Sequence, residues 1–155
     1  MRLPEHLALL VTAETALADA LTEVADGHPG EPDVVALTSR FAELGRAHLR
    51  RLEPVVRHYG EVVLDESPVV STPGAALPGP PRGSGAGLVW DLQNLVVRAT
   101  LVEITWTAVG QAAQALRDRD LLRITDVSVA DTRSALAWLR TRITQSAPQA
   151  LIAAG

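Results

Sequence analysis

Four long segments of the chain carry apolar residues at the three- and four-residue spacing of an α-helix. They cover residues 4–26, 32–59, 88–117 and 120–146. Pro4 suits the first position of the first helix, and Gly27 suits the residue just past its end. Because a helix with one apolar stripe must bury that stripe against other helices, the pattern predicts an all-α fold.

The lengths of the connections predict how the helices are arranged. The first and second helices, and the third and fourth, are joined by short turns, which make each pair antiparallel. The connector over residues 60–87 is rich in proline and glycine and far exceeds the two to eight residues usual in bundles. We therefore expect residues 1–155 to form one antiparallel four-helix bundle, with a crossover between the second and third helices. The alternative is an up-down-up-down bundle with a decorative loop.

The connector itself divides into two halves by composition. Its first half carries Val62, Val63, Leu64, Val69 and Val70, and we expect it to lie partly ordered against the bundle. The second half, rich in proline and glycine, is expected to be mobile.

Composition excludes several kinds of chemistry. The chain has no cysteine, which rules out disulfides, thiolate metal sites and cysteine nucleophiles. All 14 basic residues are arginine, so Schiff-base chemistry is also ruled out. The same bias, together with abundant alanine, valine and leucine, is typical of a GC-rich genome such as that of an actinobacterium.

Charge and hydropathy limit the partners and the location. A net charge of −4 argues against nucleic acid, which favours a basic surface. No stretch reaches the roughly 18 apolar residues of a membrane span. Glu5 and Glu14 interrupt the apolar run near the N-terminus, which is too short for a signal peptide. We therefore expect a cytoplasmic protein with no membrane or nucleic-acid partner.

Three ionisable residues interrupt the apolar stripes: Glu14, His48 and Glu103. Each lies near the midpoint of its helix, and midpoints meet at one height in an antiparallel bundle. Burying such groups is costly unless they pair or bind a metal. We expect the three to converge in one layer, and Asp131 and Thr132 mark that layer on the fourth helix, with Thr132 the more inward.

Other polar and small residues are assigned to ordinary roles. His6, His28 and His58 lie at helix ends or in the first turn, where we expect them at the surface. Trp106 is expected to pack in the core or to wall a pocket. Gly45, three residues before His48, is explained by close backbone approach, by room for a ligand, or by tolerance in a long helix.

The layout resembles the ferritin-like superfamily of di-iron carboxylate bundles. Those proteins carry a glutamate on the first and third helices and a Glu-x-x-His motif on the second and fourth. By that resemblance Glu14 and Glu103 match the single glutamates, and His48 matches the histidine of the second helix. The motif is only half present, because Gly45 replaces the glutamate before His48 and the fourth helix has no histidine. The chain thus resembles a degenerate ferritin-like bundle.

Two functions from different classes remain. The first is a non-catalytic binding or structural protein, expected to form a homodimer, with no cofactor and with room for a protein partner. The alternative is a metalloprotein or oxidoreductase that holds iron, manganese or zinc, either as a single ion or as an incomplete di-iron centre. Its ligands would be Glu14, His48 and Glu103, completed by Asp65 or Glu66 of the connector or by a second subunit. A helix-groove adaptor that uses the connector as a clamp is a third idea, with no motif behind it.

Overall fold

The computed structural model describes residues 1–64 and 79–153, and these residues fold almost entirely into helices. The helices are α1 (Leu3–Gly27), α2 (Pro32–Tyr59), α3 (Gly85–Leu116) and α4 (Arg119–Pro148), followed by a π-helical turn over Gln149–Ala153. The described residues contain no strand. The predicted all-α four-helix fold is therefore confirmed, and every helix end falls close to its expected position.

Local capping explains the helix ends that differ from the prediction. The Ser84 hydroxyl accepts a hydrogen bond from the backbone N–H of Gly87 at 3.0 Å, so α3 begins at Gly85. The stretch Gly85–Gly87, expected to belong to the connector, is instead the first turn of α3. At α4, the Asp118 carboxylate accepts from the Leu121 N–H at 3.0 Å, so Asp118 caps the helix and α4 begins at Arg119.

The four helices form a closed ring. α1 packs against α2 and α3, and α4 packs against α3 and α2. Among the described residues, the backbone of α1 does not pack directly against that of α4, nor the backbone of α2 against that of α3, so the helices of each of these pairs lie across the core from each other. The order around the bundle is therefore α1, α2, α4, α3.

Contacts between neighbouring helices fix their directions. His28, just after α1, contacts Asp91 near the start of α3, while Glu14 meets Trp106 near the middle of both helices. Tyr59, at the end of α2, donates its hydroxyl proton to Asp118 at the start of α4 at 2.6 Å. α1 is thus antiparallel to α3, and α2 is antiparallel to α4.

A second set of contacts confirms this direction at the opposite end of the bundle. The Arg142 guanidinium of α4 binds Asp33 of α2 at 2.7 Å and Glu31 at 2.8 Å. Since α1 is antiparallel to both α2 and α3, α2 and α3 run parallel. The connector between them joins opposite ends of a bundle whose 28-residue second helix is about 42 Å long. The predicted crossover is confirmed, and the up-down-up-down alternative is excluded.

Only part of the connector can be compared with expectation. Leu64 is half-buried, as expected for a residue that lies against the bundle. Val63 is almost fully exposed, so the prediction that Val63 packs against the bundle was wrong. Val69 and Val70 lie outside the described residues. Residues 79–84 were expected to be mobile, yet they contact the bundle through hydrogen bonds of Arg82 and Gly83.

The core runs the full length of the bundle and consists mainly of leucine, valine and alanine. Trp106 is the largest side chain that is completely buried. Within the described part of the chain, no helix combines the length and the apolar character that crossing a membrane requires.

Candidate functional site

At mid-height of the bundle, one polar side chain from each helix meets the others. These side chains are Glu14 of α1, His48 of α2, Trp106 of α3 and Asp131 of α4, called here the central cluster. Glu14, His48 and Trp106 are buried, whereas the Asp131 side chain is 30% exposed at the seam between α2 and α4. The cluster therefore links the dry core to the bundle surface.

Both ring nitrogens of His48 face carboxylates. Nδ1 lies 3.4 Å from Glu14 Oε1, and Nε2 lies 2.8 Å from Asp131 Oδ2. The other Glu14 oxygen, Oε2, accepts a hydrogen bond from the Trp106 indole N–H at 2.8 Å. The rings of His48 and Trp106 meet edge to face, with centroids 6.2 Å apart. The buried polar side-chain atoms of Glu14, His48 and Trp106 thus all have partners, as buried polar groups require.

This geometry favours a protonated imidazole. Burial by itself would lower the pKa of His48, but the hydrogen bonds to Glu14 and Asp131 and the attraction of the two carboxylates outweigh it. The net result is a pKa of His48 that lies above its ordinary value. An imidazolium can donate to both carboxylates at once, whereas a neutral ring can donate to only one. The centre is thus a buried ion pair extended to a second, partly hydrated carboxylate.

A space of about 20 Å³ adjoins the central cluster, which is room for one water molecule and not for an organic substrate. Gly45 forms part of its wall, and a Cβ atom added there would lie 3.0 Å from Glu14 Oε1 and 3.7 Å from the Ala18 Cβ. Close approach of α2 to α1 therefore explains this glycine. The hydroxyl of Thr132, also on the wall, is already bonded to the Ser128 carbonyl oxygen at 2.7 Å.

Glu103 does not join the cluster, and its expected convergence with Glu14 and His48 was wrong. Its carboxylate accepts a hydrogen bond from Arg133 of α4 at 3.1 Å, at the edge of the α3–α4 pair. The physical reason is its position beside the buried stripe of α3. Trp106 occupies the inward direction on that turn and reaches Glu14 itself, so Glu103 turns towards the neighbouring helix.

Asp131 is the residue that sequence reasoning missed as a partner. The layer on the fourth helix was expected to present Thr132 inward, and Thr132 is indeed buried. However, its hydroxyl bonds within its own helix, and the longer-reaching carboxylate of Asp131 contacts His48 from the stripe edge. The antiparallel α2–α4 pairing was the signal for it, since it brings Asp131 to the height of His48.

The donor set does not fit a metal centre. Both nitrogens of His48 are engaged by carboxylates, so neither offers a free lone pair, and Glu103 is turned away towards Arg133. In the described ranges, no group of three or more histidine, aspartate and glutamate side chains is arranged to hold a metal ion. The additional ligands suggested for such a site, Asp65 and Glu66, lie outside those ranges.

A second buried histidine lies at the end of the bundle where the connector enters α3. His28 is 1% exposed, and its Nε2 lies 2.7 Å from Asp91 Oδ2. With Arg82 and Gly83 these residues form what we call the end cluster. Sequence reasoning placed His28 at the surface because it lies in a turn, where no periodicity indicates burial. The connector covers it, and a single sequence gives no sign of that contact.

The hydrogen bonds of the end cluster define a tautomer for His28. The backbone N–H of Gly83 donates to Nδ1 at 3.3 Å, so Nδ1 accepts and Nε2 donates to Asp91. The Arg82 guanidinium also donates to Asp91, at 3.2 Å, and lies 3.7 Å from Glu23. The end cluster therefore ties the last residues of the connector to α1 and α3.

An open cleft of about 800 Å³ lies between α1 and α2, beside the first residues of the connector. Its walls are mostly apolar, with Val11, Leu49, Val56 and Leu64 among them, and Arg50 and Glu53 supply charge. The cleft thus offers shape for an apolar group.

Comparison of the chain with known protein families, with curated proteins and with solved structures found no match in any of the three. The resemblance to ferritin-like bundles therefore stays a prediction from the sequence.

Proposed function

We propose that this chain is a non-catalytic helical bundle that acts as an oligomeric structural or binding protein, in the form of a homodimer. The observation that carries the proposal is the closure of the central cluster. Both His48 nitrogens are occupied, and the adjoining space of about 20 Å³ admits no substrate. Action through the surface is the remaining route, and a cytoplasmic location is part of the same proposal.

The architecture supports a distant relationship to ferritin-like bundles at the level of topology. The crossover connection and the parallel pair α2 and α3 follow the layout that this resemblance implies. The acid–histidine pairs of an oxidising di-iron centre are missing, since Gly45 stands three residues before His48. We therefore propose that the ferritin-like layout persists here with a salt-bridged polar layer in the place of metal chemistry.

The oligomeric state tests the proposal directly. Size-exclusion chromatography with light scattering at micromolar protein concentration should give twice the 16.5 kDa mass of the chain. A strict monomer over that range would contradict the homodimer.

The metal-binding alternative is tested in parallel. Elemental analysis of protein purified without chelator should find less than about one iron, manganese or zinc ion per ten chains, and adding these ions should not raise the melting temperature. Stoichiometric metal with thermal stabilisation would replace our proposal with a metalloprotein in which His48 gives up one of its carboxylate partners.

A further inference from the structure

Residues 79–84, the last part of the connector, lie close against the bundle and are called here the docked segment. A Cβ atom added at Gly27 of α1 would lie 2.7 Å from Arg82 Cδ, and one added at Gly79 would lie 2.6 Å from Trp90 Nε1. Glycine at these two positions lets the segment approach α1 and the Trp90 ring this closely. The docked segment is thus packed as part of the bundle.

One polar contact of the docked segment depends on the protonation state of a buried side chain. The Gly83 backbone N–H donates to His28 Nδ1 at 3.3 Å, which requires a lone pair on Nδ1. The ring carries its proton on Nε2 and donates it to Asp91 Oδ2 at 2.7 Å. A second ring proton would be placed on Nδ1, where it would face the Gly83 N–H, and two donors would oppose each other. The docked position of Gly83 therefore fits only the neutral ring.

Two charged groups in the end cluster act on His28 in opposite ways. The Asp91 carboxylate of α3 favours a charged ring, and it faces His28 whether or not the segment is docked, since neither residue belongs to the segment. The Arg82 guanidinium opposes a charged ring, because it places a positive charge on the same Asp91 oxygen, 3.2 Å away. Arg82 also lies 3.7 Å from Glu23 of α1, and it belongs to the docked segment itself.

The other charged groups around this end of the bundle are paired or exposed. On the side of α2 and α4, Glu31 and Asp33 both bind the Arg142 guanidinium. Asp26, in the last turn of α1, is exposed. None of these groups belongs to the docked segment, so its release leaves their effect on His28 unchanged.

Release of the docked segment would change two neighbours of His28 in the same direction. It removes the Gly83 N–H from Nδ1, and it takes the Arg82 cation away from Asp91. Both changes favour a doubly protonated ring. The state that binds a proton more tightly gains population as the pH falls. Acid therefore favours release, and each release takes up one proton from the solvent, which binds to Nδ1.

We infer that the end cluster is a proton-sensitive attachment, in which the docked segment is held while His28 is neutral and is released when Nδ1 is protonated. The central cluster responds in the opposite way, because acid favours the charged form of His48 that its two carboxylates hold. The inference does not depend on the proposed homodimer.

Hydrogen exchange at the Gly83 amide measures the release. Relative to the intrinsic exchange rate at each pH, its protection should fall by up to about tenfold per pH unit, the limit for uptake of one proton. The range from about pH 7.5 to about pH 5 covers the ordinary titration of imidazole and stays above that of carboxyl groups. The Leu95 amide, inside α3, should keep its protection. Constant protection of Gly83, or a loss that Leu95 shares, overturns the inference.

The variant His28→Gln separates titration from packing. A glutamine amide offers one acceptor and one donor, as the neutral ring does, but it does not titrate in this range. The pH dependence of Gly83 protection should therefore vanish in His28→Gln. His6→Gln is the matched control, because His6 is exposed near the other end of α1, and this variant should keep the dependence. A dependence that persists in His28→Gln overturns the inference.

The ring nitrogens of His28 provide a test in the unmodified protein. In nitrogen-15-labelled protein, nuclear magnetic resonance should show one ring proton, on Nε2, at about pH 7.5. The second proton should appear on Nδ1 together with the loss of Gly83 protection. A ring that carries both protons while Gly83 stays protected, at any pH, overturns the inference.

Discussion

The two buried histidines of this bundle differ in what faces their second nitrogen. In the central cluster, both nitrogens of His48 face carboxylates, so the ring is held as a cation. In the end cluster, Asp91 faces one nitrogen of His28, but a backbone N–H donor faces the other. The same side chain in the same core therefore faces two acceptors in one place, and one acceptor and one donor in the other.

The difference shows that neighbours, and not burial alone, set the role of a core histidine. His48 connects α2 to α1 and α4 by charge, whereas His28 holds the end of the connector through a backbone hydrogen bond. In the end cluster, the Arg82 guanidinium supplies the positive charge that faces the Asp91 carboxylate, and Arg82 is itself about half exposed. Loss of a partner should therefore be more costly in the central cluster, where no other cation can replace the imidazolium.

Removing a charge from the central cluster should have the largest effect. Glu14→Gln should lower the free energy of unfolding by about 3 kcal/mol, because it removes the buried carboxylate that faces both His48 and Trp106 and leaves the imidazolium with only the partly exposed Asp131. Urea unfolding followed by circular dichroism measures the change. The exposed Asp26→Asn on the same helix should stay within about 0.5 kcal/mol of wild type.

A double-mutant cycle guards against a simple packing effect. Glu14→Gln/His48→Gln should lose less than the sum of the two single variants, because each single change already breaks the same pair. Additive losses would mean that Glu14 and His48 do not stabilise each other.

Removing the histidine of the end cluster should be less costly. His28→Leu should lower the free energy of unfolding by about 2 kcal/mol, since it leaves a backbone donor unpaired while Asp91 keeps Arg82. Hydrogen exchange at the Gly83 amide should accelerate in this variant. The exposed His58→Leu is the control. If His28→Leu is more damaging than Glu14→Gln, the ranking of the two clusters is wrong.

Alkaline pH should weaken the central cluster specifically. The folded-state pKa of His48 is raised by its two carboxylates, so its contribution is complete below the unfolded value of about 6.5. The contribution is lost as the pH rises through the higher folded-state pKa. The gap in unfolding free energy between wild type and His48→Gln should therefore shrink as the pH rises above about 6.5. A gap that stays constant or widens would show that the imidazole is not held as a cation.

The hydrogen bond between Tyr59 and Asp118, near the surface, should contribute least to the free energy of unfolding. It therefore serves as a reference for the larger effects expected in the two buried clusters. Tyr59→Phe removes the hydrogen bond to Asp118 and should cost about 1 kcal/mol. That bond, with burial and the charge of Asp118, raises the pKa of Tyr59 to about 12. Because the chain has a single tyrosine, ultraviolet titration reads this value directly, and Asp118→Asn should move it back towards 10. A tyrosine that already titrates near 10 in the wild-type protein would contradict the contact.

Periodicity and connector length were enough to predict the fold. The apolar stripes located all four helices, and a 60–87 connector too long for a hairpin turn indicated the crossover. Glu14 and His48 were also found from sequence, since each breaks a stripe at the midpoint of its helix. These features depend on spacing along one chain segment, which a single sequence displays.

The other residues of the two clusters could not be predicted in this way, because they lie at the edges of the apolar stripes or in a turn. A rotation of a few tens of degrees decides whether Glu103 or Trp106 of α3 faces Glu14, and packing between helices sets that rotation. Asp131 likewise lies one residue from the buried Thr132, and it joins the central cluster because its side chain reaches His48 of α2. His28 depends on a connector that folds over it, a contact between residues 55 positions apart.

The crossover also separates the two outermost helix ends. The start of α1 lies with the end of α2, and the end of α4 lies with the start of α2 at the opposite pole. A peptide that joined the end of α4 to the start of α1 would have to span about 45 Å, or about 13 extended residues. Circular permutants of this bundle would therefore need a long bridge, whereas labels fused at both ends would report the full length of the rod.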